Sequence, residues 1–566
     1  MAEAWRVRPA DEACARGLAA SLGMRGLTTR ILAARGFSSA ESVGRFLSPR
    51  LSELRPPHGM ADLVRALDRI AQALKASEKV AVFGDYDVDG ITSAAILLQL
   101  LRSLGLQVVT RMARRASGYG FSLVDATSFV EQGCTLVLTG DCGTSDLDSL
   151  VFCRSHGVDV IVIDHHHVPT GESPAYSLLN SHRRDDTFSF KGLASCGVAF
   201  YLAAAVRSRL RAEGDGRADN LDPRSWLDLV ALGTIADLVP LVDENRILVA
   251  AGLRELSAMR RPGIAALASI SGIPSGALGT TDVSFRLAPR LNAAGRLGDS
   301  QLALDLLLAS DMVEATRLAA SLDDLNRERQ RIQERIWSEA MLAAEQHADD
   351  PALVLGAEGW HQGVVGVVAA KLVDKYRKPV VIVGFDDGQG RGSARTLGGF
   401  DLYQALAQCQ EHVTAFGGHP MAAGVSLARD KLADFRAAFV AVARAHFAAA
   451  PMVATIEVDA VASLSELDMG QVEELERLAP FGNANGEPLI VVPGVVARST
   501  RVVGASHLQL TLTHGATIIE AIAFGMGHKD PGKGARLDVI GMAELDEYRG
   551  QRKIRLRLRH FMRSVS

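Results

Sequence analysis

Three short apolar runs, Val80-Ala81-Val82-Phe83, Leu136-Val137-Leu138-Thr139 and Val160-Ile161-Val162-Ile163, are each followed, directly or after one glycine, by aspartate. Runs of this length, apolar without alternation, predict parallel strands covered on both faces. From about 76 to 250 such runs alternate with helical patterns, so the expected fold is α/β with a mostly parallel sheet. The strongest helix, 90–104, starts directly after the first polar loop. Residues 1–75 read as helical over 27–34 and 61–74, with Pro56-Pro57 breaking the chain between them.

A stretch without Pro or Gly, 311–347, predicts one long connecting helix whose apolar face carries Leu318, Leu322, Leu325, Ile332 and Ile336. Its arginine-rich section, 326–331, reads as a solvated face. Alternation returns at 351–448, with strands at 352–355 and 379–383, a helix at 364–375, and a glycine-rich turn segment at 386–399. Beyond about 453, short β-branched runs separated by turn residues predict a small barrel or sandwich. Five regions are therefore expected, at 1–75, 76–250, 251–350, 351–450 and 453–566.

At 566 residues the chain has room for several cores, and its net charge of −4 does not by itself mark a nucleic-acid binder. The six cysteines form no CxxC pair, which argues against a zinc knuckle or redox dithiol and suits a reducing compartment. No run of about 18 apolar residues predicts a membrane span. The first residues lack an apolar signal core. A soluble cytoplasmic enzyme is expected.

Residues just past the carboxyl ends of parallel strands converge on one crevice. Three such segments, Asp85-Tyr86-Asp87-Val88-Asp89-Gly90, Asp141-Cys142-Gly143 and Asp164-His165-His166, would gather carboxylates and imidazoles at one point. Asp237 adds a charge to an otherwise apolar stretch, where an unpaired carboxylate is costly and a metal would remove the cost. Mixed Asp and His ligation fits Mn²⁺ better than Ca²⁺ or a thiolate-rich zinc site, with Mg²⁺ also open. Two ions about 4 Å apart can act on a phosphoester. Each piece alone is commonplace: a lone Asp-x-Asp is usually a turn or cap, and a lone Asp-His-His usually a loop. Their placement at successive strand ends is what favours the metal site.

These motifs resemble those of the DHH phosphoesterases. Pro289 to Arg296, Trp360-His361-Gln362-Gly363, Gly392-Ser393-Ala394-Arg395 and Phe416-Gly417-Gly418-His419 are similar to the connector and DHHA1 domain of that family's single-strand-specific exonucleases. Pro480-Phe481-Gly482 opens a tail similar to their OB domain. The resemblance implies a DHH domain, a DHHA1 domain and an OB barrel, and 5′-to-3′ hydrolysis of single-stranded DNA to mononucleotides. It implies Asp87, Asp89, Asp141, His165 and Asp237 as metal ligands, with Asp85 a ligand or a neighbour of one. Asp164 would orient the ligands. His166 would protonate the leaving oxygen or contact a phosphate.

Arg114, Arg296, Ser393 and Arg395 fall where the family contacts phosphate, Arg290 reads as structural, and His419 as either a substrate contact or a structural hydrogen bond. A single-strand-binding protein and a helicase are implied as partners. In the tail, Arg552, Lys553, Arg555, Arg557 and Arg559 alternate with apolar residues; a strand-binding face is preferred over a charged edge strand. Removing 453–566 is then expected to weaken binding to long strands more than cleavage of short ones.

Two departures from the family stand out. Cys142 occupies a place often held by Asn, and Arg115-Ala116-Ser117 a place often acidic. Two other functions remain open: a DHH-type phosphodiesterase acting on short oligonucleotides or cyclic dinucleotides, and a non-catalytic DNA-binding scaffold. The intact acids argue against the scaffold.

Overall fold

The computed structural model describes residues 4–564 except 116, 117, 119, 275, 277, 450–454, 505, 549 and 550. The chain divides into two compact units. One comprises Met1–Pro56, Leu238–Ala251 and Val453–Ser566, the other Pro57–Asp237 and Gly252–Met452.

The second unit is built on two sheets. In the first, the strands run in the order Gln107–Met112, Lys79–Gly84, Leu136–Gly140, Asp159–Ile163, Ser177–Leu179, all parallel. The three apolar runs are its interior strands, buried throughout apart from Lys79 and Asp159 at the starts of two of them. The two outer strands escape the hydrophobic pattern, one because it is half-exposed and carries Arg111, the other because it has only three residues. The strand order reverses beside Lys79–Gly84, which opens a crevice at the carboxyl ends of the central strands.

The second sheet runs Ala415–His419, Ala422–Ala428, Gln389–Arg395, Val380–Asp386, Leu353–Glu358, antiparallel except for the last pair. The expected turn segment at 386–399 is therefore mostly strand. Its glycines reflect crowding, since a Cβ at Gly390 would meet the Phe385 ring and one at Gly392 the backbone of Ile382. The long helix, Met312–Glu345, buries Ile336, Ala340 and Ala344 against Leu353, Val368 and Leu372. Its arginine-rich section is solvated only in part. Arg327 and Arg331 are exposed, whereas Arg329 turns inward to Asn326 and Gln333.

The first unit holds a closed five-stranded barrel of Ile490–Val503, His507–His514, Thr517–Ala523, Gln551–Arg563 and Arg536–Tyr548, the last pairing back onto the first. Residues 1–75 are not all helical. Ala4–Val7 is a strand paired in parallel with Thr455–Val458. Helices Glu12–Leu22 and Gly26–Ala34 bury Leu18, Leu27, Ile31 and Leu32 in one core with barrel residues such as Leu510 and Leu556. Gln551–Arg563 pairs on both sides, so the charged-edge interpretation fails. Arg555 is paired with Glu544 and Asp546, and Arg557 with Glu487 and Glu544, which neutralises much of the expected strand-binding stripe. No helix among the described residues is long and apolar enough to cross a membrane.

Candidate metal centre

Strand register decides which acids meet. Gly84 pairs with Gly140, and Gly140 with Ile163, so the next residues, Asp85, Asp141 and Asp164, leave the sheet side by side. The first loop then doubles back into helix Val88–Ser103. Asp87 caps it by accepting from Gly90 N at 3.1 Å, and a Cβ on Gly90 would run into the backbone of Asp85. Asp89 points inward and is buried. Its carboxylate accepts from Ser195 N at 2.7 Å and Cys196 N at 2.9 Å, the open amides that begin helix Ser195–Ala212. Asp141 sits in the left-handed region at φ 66°, and its Oδ1 accepts from Ser195 Oγ at 3.0 Å. Asp237 ends helix Leu227–Ala236.

His165 Nε2 is the meeting point. It lies 3.3 Å from Asp141 Oδ1, 3.4 Å from Asp237 Oδ2 and 3.9 Å from Asp89 Oδ2. Three overlapping sets can each offer ligand atoms within 4.8 Å of one another: Asp141, His165 and His166; Asp89, His165 and Asp237; Asp85, Asp87 and Asp141. Asp141 and His165 each belong to two of these sets. The donors suit hard or borderline divalent ions. Two further observations fit a cation: Asp85 Oδ1 and His165 Nε2 are buried with no hydrogen-bond partner. Burial, then the crowding of Asp89 and Asp87, pushes Asp237 up to about 9. Burial and the same kind of crowding raise Asp85 and Asp141. Burial lowers His165, keeping the imidazole neutral as a ligand must be.

Asp164 faces the other way. Its Oδ1 accepts from His165 N at 2.7 Å, His166 N at 3.1 Å and His166 Nδ1 at 2.7 Å, and its Oδ2 from Thr144 N at 3.2 Å. Burial works against its ionised form, but these bonds prevail and hold its pKa well below the usual carboxylate range. Burial likewise opposes the charged form of His166, yet the bond to Asp164 and its charge lift that imidazole to about 9. Asn180 steadies the loop by donating to His166 O at 2.8 Å and Thr144 Oγ1 at 3.1 Å.

Asp85, Asp87 and His166 open onto a cleft of about 840 Å³ whose other walls carry Arg296, Ser393 and Arg395. Burial, aided by the neighbouring Arg115, Arg329 and Arg395, lowers Arg296 to about 10, and its Nη1 donates to Gly363 O at 3.0 Å. Arg395 donates to Ser393 Oγ at 2.7 Å. Arg290 pairs with Asp323 at 2.9 Å. His419 is exposed at the end of strand Ala415–His419.

Arg114 is directed elsewhere: it is 63% exposed and pairs with Asp299 at 2.9 Å. The cleft arginine of that loop is Arg115, stacked over Tyr86 at 4.1 Å and donating to Gly295 O at 3.2 Å. Ala116, Ser117 and Tyr119 lie outside the described residues. Sequence reasoning noted Arg115 only as a departure from the family and not as a cleft residue, and Ser195 was not flagged at all. Cys142 is buried with its thiol directed to Gly140 O at 3.7 Å.

Three family models match the chain: the DHH family N-terminal domain over residues 79–234, the DHHA1 domain over 349–445 and the RecJ OB domain over 458–560. The single-stranded-DNA-specific exonuclease RecJ of Bacillus subtilis (strain 168) is 35% identical over 564 residues, covering 98% of this chain and 70% of that protein. The crystal structure of RecJ from Thermus thermophilus in complex with Mn²⁺ superposes with a TM-score of 0.85 at 29% identity, covering 100% of this chain and 80% of the other. Its Mg²⁺ counterpart gives a TM-score of 0.78 at 28% identity, covering 100% and 79%. With a relative this similar along nearly its whole length and three domain models in the same order, the chain belongs to the RecJ family of DHH phosphoesterases.

Proposed function

We propose that the chain is a metal-dependent exonuclease specific for single-stranded DNA, releasing mononucleotides from the 5′ end with two Mn²⁺ or Mg²⁺ ions. The observation that carries this is the convergence of Asp89, Asp141 and Asp237 on His165 Nε2, beside a buried Asp85 oxygen that no hydrogen bond reaches. Asp85, Asp87, Asp89, Asp141, His165 and Asp237 would hold the ions. Such ions supply Lewis acidity toward phosphoryl oxygens and lower the pKa of water.

The other roles fall to side chains. Arg296, Arg395 and Ser393 present guanidinium forks and a hydroxyl to phosphate oxygens across the cleft. His166, kept protonated by Asp164, stands where it can donate to a phosphoryl or leaving oxygen. We assign catalysis to 76–250 and 351–450, linked by 251–350, with 453–566 serving the strand. Work in the cytoplasm in DNA repair and recombination, beside a single-strand-binding protein and a helicase, is supported by the family alone.

The test is digestion of single strands labelled at either end, with Mn²⁺ or Mg²⁺. Mononucleotides appearing first from the 5′ label support the proposal. Intact strands would reject the enzyme, and cleavage confined to dinucleotides would point to a short-oligonucleotide phosphodiesterase. Asp141→Ala should abolish cleavage without unfolding the protein, and retained activity would sink the site assignment.

A further inference from the structure

Two candidate ligands from different segments are gripped by one residue. Ser195 is the first residue of helix Ser195–Ala212 and is fully buried. Its amide, with that of Cys196, holds both oxygens of Asp89. Its hydroxyl donates to Asp141 Oδ1, the oxygen 3.3 Å from His165 Nε2.

Asp141 needs such a hold. Its left-handed backbone at φ 66° is strained for a residue with a Cβ and persists only when the surroundings fix it. Its neighbour Cys142 directs the thiol back to Gly140 O at 3.7 Å. A buried hydroxyl that donates to a ligating carboxylate fixes which lone pairs remain for the ion and draws charge from the ligand.

We propose that Ser195 is a positioning residue for the metal centre, acting through Asp141: its hydroxyl orients that carboxylate. This rests on Asp141 being a metal ligand, as proposed above.

The test is direct Mn²⁺ binding by titration calorimetry on the full-length, metal-stripped protein, with thermal melts of the metal-free form. Ser195→Ala should weaken Mn²⁺ binding roughly 10-fold, the lower end of what loss of an outer partner costs a metal site. Its metal-free melting temperature should stay close to that of the parent. Ser195→Thr, which keeps the hydroxyl, should bind within about 3-fold of the parent, whereas Ser195→Val, which matches Thr in shape, should behave as Ser195→Ala does. Adding Ser195→Ala to Asp141→Ala should cause no further loss.

Parent-like binding by Ser195→Ala overturns the proposal, as does equal weakening by Thr and Val, which would make shape the cause. If Ser195→Ala fails to fold, the Thr and Val pair decides. Parent-like binding by Asp141→Ala would instead overturn the ligand assignment beneath it.

Discussion

Asp146 shows how a carboxylate outside the metal cluster can still matter. It is mostly buried, and its Oδ2 accepts from Phe121 N at 2.6 Å, pinning the end of the loop that carries Arg115. Burial outweighs that bond and pushes the group up to about 6. Above its ordinary value of 3.8 the unfolded chain has lost the proton that the folded chain keeps. Its stabilising contribution is therefore full below that value and is lost as pH rises through about 6. Between pH 5 and 8 this should remove on the order of 1 kcal/mol of stability, a loss that Asp146→Asn should lack. Urea melts of both proteins at the two pH values, in chelator, check it. A parallel pH response in the variant would show that Asp146 stays ionised throughout.

At the scale of elements, the helix Ala288–Leu297 backs the acidic loop. A Cβ on Gly295 would collide with the carbonyl oxygen of Tyr86, between Asp85 and Asp87. Because the obstacle is backbone, Gly295→Ala should displace that loop. We expect a stability loss of about 1–3 kcal/mol and an activity loss of at least about 10-fold from misplaced ligands. Melts and single-strand cleavage measure the two together, and an unchanged kcat/KM would show that the loop position is slack.

The same element scale separates what the sequence revealed from what it hid. Interior strands and their terminal acids were legible because burial on both faces leaves an unbroken apolar run, and the acid that follows must sit at the strand end. Gln389–Arg395 was not, because its glycines answer to the Phe385 ring and neighbouring backbone rather than to local turns. The hydroxyl of Ser195 was hidden for a similar reason: only the fold brings that helix start to Asp141. The alternating charges at 552–559 revealed one strand face but not Glu487, Glu544 and Asp546 across from it.

For the whole molecule, the division into units changes what a truncation should do. Residues 453–566 share a core with the N-terminal helices, so removing them uncovers Leu18, Leu27, Ile31, Leu32 and Val43. Each such side chain loses roughly 1.5–3 kcal/mol of burial. Leu238–Ala251 belongs to the same unit. There Leu241 N donates to Asn483 O at 2.8 Å, and the buried Arg246 is held by the carbonyls of Leu478, Ala479 and Pro480. Deletion removes these holds on the segment, whose first residue follows Asp237 directly in the chain. Against the expectation that the deletion weakens binding to long strands more than cleavage of short ones, the shared core predicts that both suffer. The truncated chain should be cut by protease within 1–56, bind Mn²⁺ more weakly than the full chain, and lose activity on short and long strands alike. Intact cleavage of a short labelled strand, with parent-like Mn²⁺ binding, would show that Asp237 keeps its place without the barrel.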